Sequence, residues 1–360
     1  MRPVLGHTEG VMSPSQLALP LMPEDRQETR FDSRYSAELE KTVRFGLRRR
    51  DLQGILPSGS VTVDAALGVG GLPRGRIVEL FGPPGVGKTT LGLQAVAAVQ
   101  REGETGAFVD VERSFDPGYA AQMGVDLDAL LLARAEDGQQ AFRILEKLAG
   151  CKAVDLIVVD SAAALVPPEE REAALGEATP FAQCELLASG LRRLARALQG
   201  SPACVVFLNQ VRSYQGFGYS ETSAGGWALK LHASVRADLR ERAQLRSGTR
   251  VQLRVVKNQL ARPRQTEFDF AGGVGVVREA ELLDRGVEAG VIESGKGGFV
   301  YDGQVIGRNR FEVLERLAQH ATLAAQIHTD VRLALGLTQR RPMGREDRAK
   351  EAKASGVSNG

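Results

Sequence analysis

The chain has 360 residues, 43% hydrophobic and 25% charged, which suits one substantial folded core with a smaller appendage and excludes a wholly disordered protein. The formal net charge is only +2, so bulk basicity is excluded as a source of nucleic-acid affinity and any such site must come from local arrangement. No apolar run reaches the length of a membrane-crossing helix, and the first residues lack a basic region followed by an unbroken apolar one, so the expected compartment is the cytoplasm, with no membrane partner. Cys151, Cys184 and Cys204 have neither CxxC nor metal-ligand spacing and read as free, buried thiols in a reducing environment.

In chain order, residues 1–50 read as a loose tail and a short helix. In that helix, between Ser33 and Val43, Tyr35, Leu39 and Val43 share one side. The basic stretch that follows, with Arg44, Arg48, Arg49 and Arg50, suits either a solvated surface or a contact with DNA or a partner. From Arg76 short apolar runs alternate with helical stretches. Arg76–Phe81, Ala107–Val111, Asp155–Asp160 and Ala203–Asn209 read as buried strands, and Thr89–Arg101, Gly138–Ala149 and Phe181–Gln199 as the helices between them. That alternation predicts an α/β fold, a mostly parallel twisted sheet flanked by helices. Leu229–Leu239, Arg250–Asn258 and Gln265–Phe270 lack intervening helices and predict an antiparallel extension of the sheet. The core is therefore expected over 51–277. A small C-terminal α/β domain over 278–338 would contain a helix at Arg278–Ala289, a Gly-rich hairpin and a helix from Arg310. A polar, disordered tail is expected over 339–360.

The strongest chemical signal is Gly82-Pro83-Pro84-Gly85-Val86-Gly87-Lys88-Thr89, followed by Thr90. This G-x-x-x-x-G-K-T pattern lies between a predicted strand and a predicted helix, where glycines let backbone N–H groups turn around phosphate oxygens and the helix N-terminus adds its dipole. Lys88 would reach the β- and γ-phosphates of ATP, and the Thr89 hydroxyl would ligate Mg²⁺. Asp160, ending an apolar strand, is the second metal candidate. A carboxylate orienting the attacking water would come from the end of the strand after the P-loop helix; position alone leaves Glu112 and Asp110 both open.

Several further runs, in order and in register, resemble the bacterial RecA family. They are Pro57–Ser60, the stretch from Leu67 to the P-loop, Ala107–Glu112, Asp116–Tyr119, Val158–Ser161, Leu208–Arg212, Gly225–Lys230 and Val255–Asn258. The resemblance spans roughly residues 56–337. It implies a RecA-like ATPase core, filament formation by self-association on single-stranded DNA, pairing with double-stranded DNA, strand exchange in DNA repair, DNA-stimulated ATP hydrolysis, and an SOS repressor as a further partner. It also implies that Glu112 activates water, Asp116 and Tyr119 contact the adenine, Gln210 senses the γ-phosphate, and Lys257 reaches the ATP of the neighbouring subunit. Two segments would face DNA: Glu172–Pro180 with Arg192 behind it, and Ser213–Trp227 with Gly216, Phe217, Gly225, Gly226 and the preceding Arg212.

The chain departs from the family pattern in several places. Gln259 stands for a second lysine, Glu185 for an arginine beside the first DNA segment, the second DNA segment is shorter, the tail is not acidic, and the N-terminal region matches poorly. Two other readings stay open: a divergent paralogue that binds ATP and DNA but regulates another recombinase, and a ring-forming helicase on the same core.

Overall fold

The computed structural model describes residues 54–172, 182–216 and 218–337; the expected N-terminal tail and helix, Phe217, Ala173–Pro180 and the C-terminal tail lie outside the described residues. The strands, in chain order, are β1 (Ile55–Leu56), β2 (Leu72–Pro73), β3 (Ile77–Gly82), β4 (Gly106–Asp110), β5 (Leu131–Arg134), β6 (Leu156–Asp160), β7 (Cys204–Gly216), β8 (Gly218–Ser223), β9 (Val235–Leu245), β10 (Gly248–Asn258), β11 (Gln265–Ala271), β12 (Gly275–Val276), β13 (Glu293–Gly295), β14 (Gly298–Tyr301) and β15 (Gln304–Gly307). The helices are α1 (Val61–Leu67), α2 (Lys88–Arg101), α3 (Pro117–Gln122), α4 (Gly138–Gly150), α5 (Pro168–Glu172), α6 (Ala182–Ala197), α7 (Trp227–His232), α8 (Arg278–Glu288), α9 (Arg310–Gln319) and α10 (Ala321–Ala334).

The main sheet runs β12-β11-β10-β9-β3-β7-β6-β4-β5. From β9 through β5 its neighbours are parallel; from β9 to β12 they are antiparallel, which is the extension the sequence predicts. The central strands β3, β4 and β6 are buried along their whole length, which is why they read as near-continuous apolar runs. Strand β6 shows the period-2 geometry plainly. Leu156 and Val158 pack with Val96 and Val99 of α2 on one face, while Ile157 and Val159 pack with Leu145 of α4 and Leu191 and Leu194 of α6 on the other. A third cluster joins Leu282, Val313, Ile327 and Val331 of the C-terminal helices to Ile306 and to Val61 of α1.

Three sequence expectations need correction. Leu229–Leu239 is not one strand: Trp227–His232 is helical and the strand begins at Val235. The alternation of Leu229 and Leu231 mimics a strand, but only Leu229 is buried, whereas Leu231 and Trp227 are exposed on a short helix. Ser213–Trp227 is not a loop throughout, because β7 extends to Gly216 and pairs with β8 as an antiparallel hairpin. Tyr214, Tyr219 and Thr222 favour extended backbone enough to outweigh the glycines. Finally, Cys151 is exposed rather than buried.

Candidate functional site: a P-loop at the edge of the parallel sheet

Register places the ends of four strands together. Gly82 pairs with Gln210 across β3 and β7, and Asp110 with Asp160 across β4 and β6. The chemistry therefore collects beyond the carboxyl edge of the parallel strands, the usual ligand-binding edge of an α/β sheet. Gly85 and Gly87 take φ of +77° and +96°, which side chains rarely adopt, and a Cβ on Gly85 would meet nothing within 4 Å. The loop is thus an open cradle of backbone leading into α2, which has no side-chain cap on its first turn and so presents its amides to an anion.

Lys88 Nζ donates to the loop's own carbonyls, Gly82 O at 3.1 Å and Pro83 O at 2.7 Å. Burial lowers its pKa, opposed by the charges of Asp160 and Glu112. Thr89 Oγ1 donates to Asp160 Oδ2 at 2.6 Å. Burial pushes Asp160 up to about 6; the Thr89 hydrogen bond and Lys88 pull it down, while Glu112 and Asp110 add to the rise. A hydroxyl and a carboxylate held together, both oxygen donors, suit a small hard cation that takes its remaining ligands from phosphates and water. Among the described residues no group of three or more His, Cys, Asp or Glu could hold a metal by itself. Thr90 Oγ1 and the Tyr119 hydroxyl are 2.6 Å apart, and Asp116 caps α3 by accepting from Gly118 N at 2.8 Å and Tyr119 N at 3.1 Å. Both expected adenine contacts therefore sit on the short helix tied to the P-loop, although the Asp116 carboxylate is already engaged as a cap.

The geometry separates the two carboxylates that position alone leaves open. Asp110 is fully buried and accepts from Ser114 N at 3.0 Å and Phe115 N at 3.2 Å, with Arg134 Nε at 3.7 Å; it organises the loop. Glu112 turns instead towards Ser161 and Gln210. Its Oε1 accepts from the Ser161 hydroxyl and from Gln210 Nε2, the latter at 3.1 Å. Ser161 carries no sequence role beyond its place in a motif, and only the fold shows that it holds Glu112.

Lys257 is absent from this cluster. Its ammonium donates to Lys230 O at 2.8 Å and Leu231 O at 3.0 Å, capping the C-terminus of α7. Of the DNA candidates, Arg192 is exposed on α6 and donates to Ala188 O of its own helix. Gly225 and Gly226 pack against that same helix, where a Cβ would strike Leu187 and Cys184. Trp227 is 75% exposed with Lys230 Nζ 5.1 Å above its ring. The helix behind the first expected DNA segment and the end of the second are thus in contact. Arg212, Ser213 and Gly216 lie on the hairpin strand β7.

Residues 39–277 match the model of the RecA N-terminal domain. The chain belongs to the RecA family. It is 42% identical over 305 residues to the protein RecA of Clavibacter michiganensis subsp. michiganensis, covering 82% of this chain and 84% of that one. It is 43% identical over 303 residues to that of Leifsonia xyli subsp. xyli, covering 82% and 85%, and 43% identical over 290 residues to that of Bartonella quintana, covering 78% and 84%. Membership of the RecA family implies nucleotide binding. Among the described residues no helix is long and apolar enough to cross a membrane.

Proposed function

We propose that this RecA-type recombinase binds ATP with Mg²⁺ in the Gly82–Thr90 loop and couples its hydrolysis to the grip of a homo-oligomeric filament on single-stranded DNA, for pairing with double-stranded DNA and strand exchange. The observation that carries the reading is the triad of contacts Thr89–Asp160, Ser161–Glu112 and Gln210–Glu112 around an open P-loop. Lys88 leaves the loop carbonyls for the phosphates, a short move because those carbonyls line the same cradle. Thr89 and Asp160 would hold Mg²⁺, which when bound would supply charge neutralisation at the phosphates. Glu112, held by Ser161, accepts a hydrogen bond from the attacking water in line with the γ-phosphate. Gln210 joins Glu112 to the base of the hairpin and reads whether a γ-phosphate is there. Asp116 and Tyr119 flank the adenine.

Lys257 acts on the neighbouring subunit's nucleotide, as its separation from its own P-loop cluster supports. Arg192, Arg212, Ser213, Gly216, Phe217, Gly225, Gly226 and Trp227 face DNA, Gln259 weakens the trans charge, and Glu185 weakens attraction beside the first segment. Residues 51–277 form the ATPase core and 278–338 the C-terminal domain, the compartment is the cytoplasm, and an SOS repressor is a further partner.

A match over 84% of the length of proteins named RecA, with the P-loop, Glu112, Asp160 and Gln210 all in place, favours the recombinase over a regulatory paralogue or a ring helicase. The test is ATP hydrolysis with and without single-stranded DNA, with Lys88→Ala as control. Strong stimulation lost in the variant is expected; ATP binding without any stimulation would overturn the reading.

A further inference from the structure

Strand β3 carries one residue that its environment does not explain. Glu79 lies in the middle of an all-buried strand and is itself fully buried. Its Oε2 pairs with Arg236 Nε of β9, and its Oε1 accepts from Asn209 Nδ2 at 2.8 Å. Asn209 is also fully buried; it donates to Ala224 O at 3.0 Å and accepts from Gln210 N at 2.9 Å. Arg236 Nη2 donates to Ser223 Oγ at 3.1 Å, and Ala224 N donates to Gln210 O at 2.9 Å. The Arg236 guanidinium also covers the Phe81 ring at 4.7 Å. The bonds close a ring: Gln210, Asn209, Glu79, Arg236, Ser223, Ala224 and back to Gln210.

A buried ion pair is a poor way to stabilise a core, because removing two charges from water offsets their attraction and an apolar pair of similar volume serves as well or better. What the ring does that an apolar pair cannot is fix direction. Every bond in it is oriented, so a displacement at Gln210 is felt at Ser223 and Ala224. Those residues end the hairpin, and the chain beyond them passes through Gly225 and Gly226, at φ of +84° and +69°, into α7. A permissive glycine pair just past a rigid ring is where a small shift becomes a reorientation of the hairpin. Lys230 of α7, bonded to the Thr222 hydroxyl, ties that helix to the same strand end.

We propose that Glu79 and Arg236 are positioning residues which, through Asn209 and Ser223, convert γ-phosphate occupancy at Gln210 into a change in the DNA-facing hairpin. The inference rests on the proposed function, since it needs a nucleotide at Gln210 and DNA at the hairpin. The measured quantity is coupling: the ratio of affinities for a fluorescent oligo(dT) with and without a non-hydrolysable ATP analogue and Mg²⁺, read by anisotropy on the full chain. Two variants are used: Glu79→Gln, which keeps the shape and removes the charge, and the double substitution Glu79→Leu with Arg236→Met, which replaces the pair by apolar volume. Affinity for a fluorescent ATP analogue is expected to stay within about two-fold, while the coupling ratio falls about 10-fold in both, within the usual range of coupling between sites.

Full coupling in either folded variant overturns the relay. So does failure of both variants to fold, which would make the pair structural. A wild-type protein whose DNA affinity ignores the nucleotide would sink the proposed function itself, a result distinct from wild-type coupling that survives in the variants.

Discussion

Asp160→Asn is expected to make the nucleotide-free protein more stable while destroying its response to Mg²⁺. The carboxyl is 6% exposed, and burial raises its pKa from the ordinary 3.8 to about 6. The folded state therefore holds this proton more tightly than the unfolded chain. Its favourable contribution is fully present below pH 3.8 and is lost as pH rises through 6, so at pH 7.5 the ionised carboxylate opposes folding. The difference corresponds to roughly 3 kcal/mol, an upper figure because Thr89 and Lys88 relax around the charge. Asparagine keeps an acceptor for the Thr89 hydroxyl without the charge. For a chain of this size, recovering most of that energy would raise Tm by about 5 °C. The assay is thermal unfolding at pH 7.5 and pH 5.0, each with and without ATP analogue and Mg²⁺. The variant should melt higher than wild type at pH 7.5, with a smaller gap at pH 5.0. Mg²⁺ should add stabilisation in the presence of nucleotide only to the wild type. A variant that melts at or below wild type at pH 7.5 would refute the claim that the site stores an unneutralised charge for a cation.

The remaining predictions concern turnover and DNA. Glu112→Gln should keep ATP binding and lose at least about 100-fold in turnover, the lower range for a general base; single-turnover hydrolysis separates it from Asp110→Asn, which should instead lower Tm because two backbone amides lose a charged acceptor. Lys257→Ala should cut DNA-stimulated hydrolysis about 1,000-fold or more, as removal of a cation supplied in trans does, while isolated subunits bind nucleotide as before; equal loss of binding would place Lys257 in its own site. Affinity for single-stranded DNA should fall steeply with salt, log K against log salt sloping by about −0.7 for each phosphate contacted; a flat plot in a salt titration would count against phosphate contacts. Deleting residues 339–360 should leave DNA affinity unchanged or lower, because that tail is not acidic, and a clear rise would refute this.

The sheet and the position of the P-loop between a strand and a helix were legible because they rest on strong, local signals. Strands buried on both faces leave long apolar runs, and a phosphate-binding turn leaves glycines at fixed spacing before Lys88. The antiparallel extension was legible from the lack of helices between its strands. What escaped depends on partners distant in sequence. Asp110 ends β4 and Glu112 lies two residues beyond it, so they look alike in sequence; only Ser161, Gln210 and the amides of Ser114 and Phe115 tell them apart. Trp227–His232 escaped because Leu229 and Leu231 alternate like a strand, and the helix depends on a cap from Lys257, some 26 residues on. Strand β5 escaped because Leu131 and Leu132 are largely exposed at the sheet's edge and form no buried run. Glu79 did leave a trace, the one acidic residue within Arg76–Phe81, but its meaning lay in Arg236 and Asn209.

At the end of β6 one carbonyl, Asp160 O, accepts from both Val111 N at 2.8 Å and Glu112 N at 3.2 Å. The residue that would carry the metal and the residue that would aim the water therefore hang from a single peptide group. Their separation is a property of the main chain, shared by every side-chain variant at either position. If the proposed roles hold, the two functions share one main-chain anchor, and that anchor does not involve either side chain.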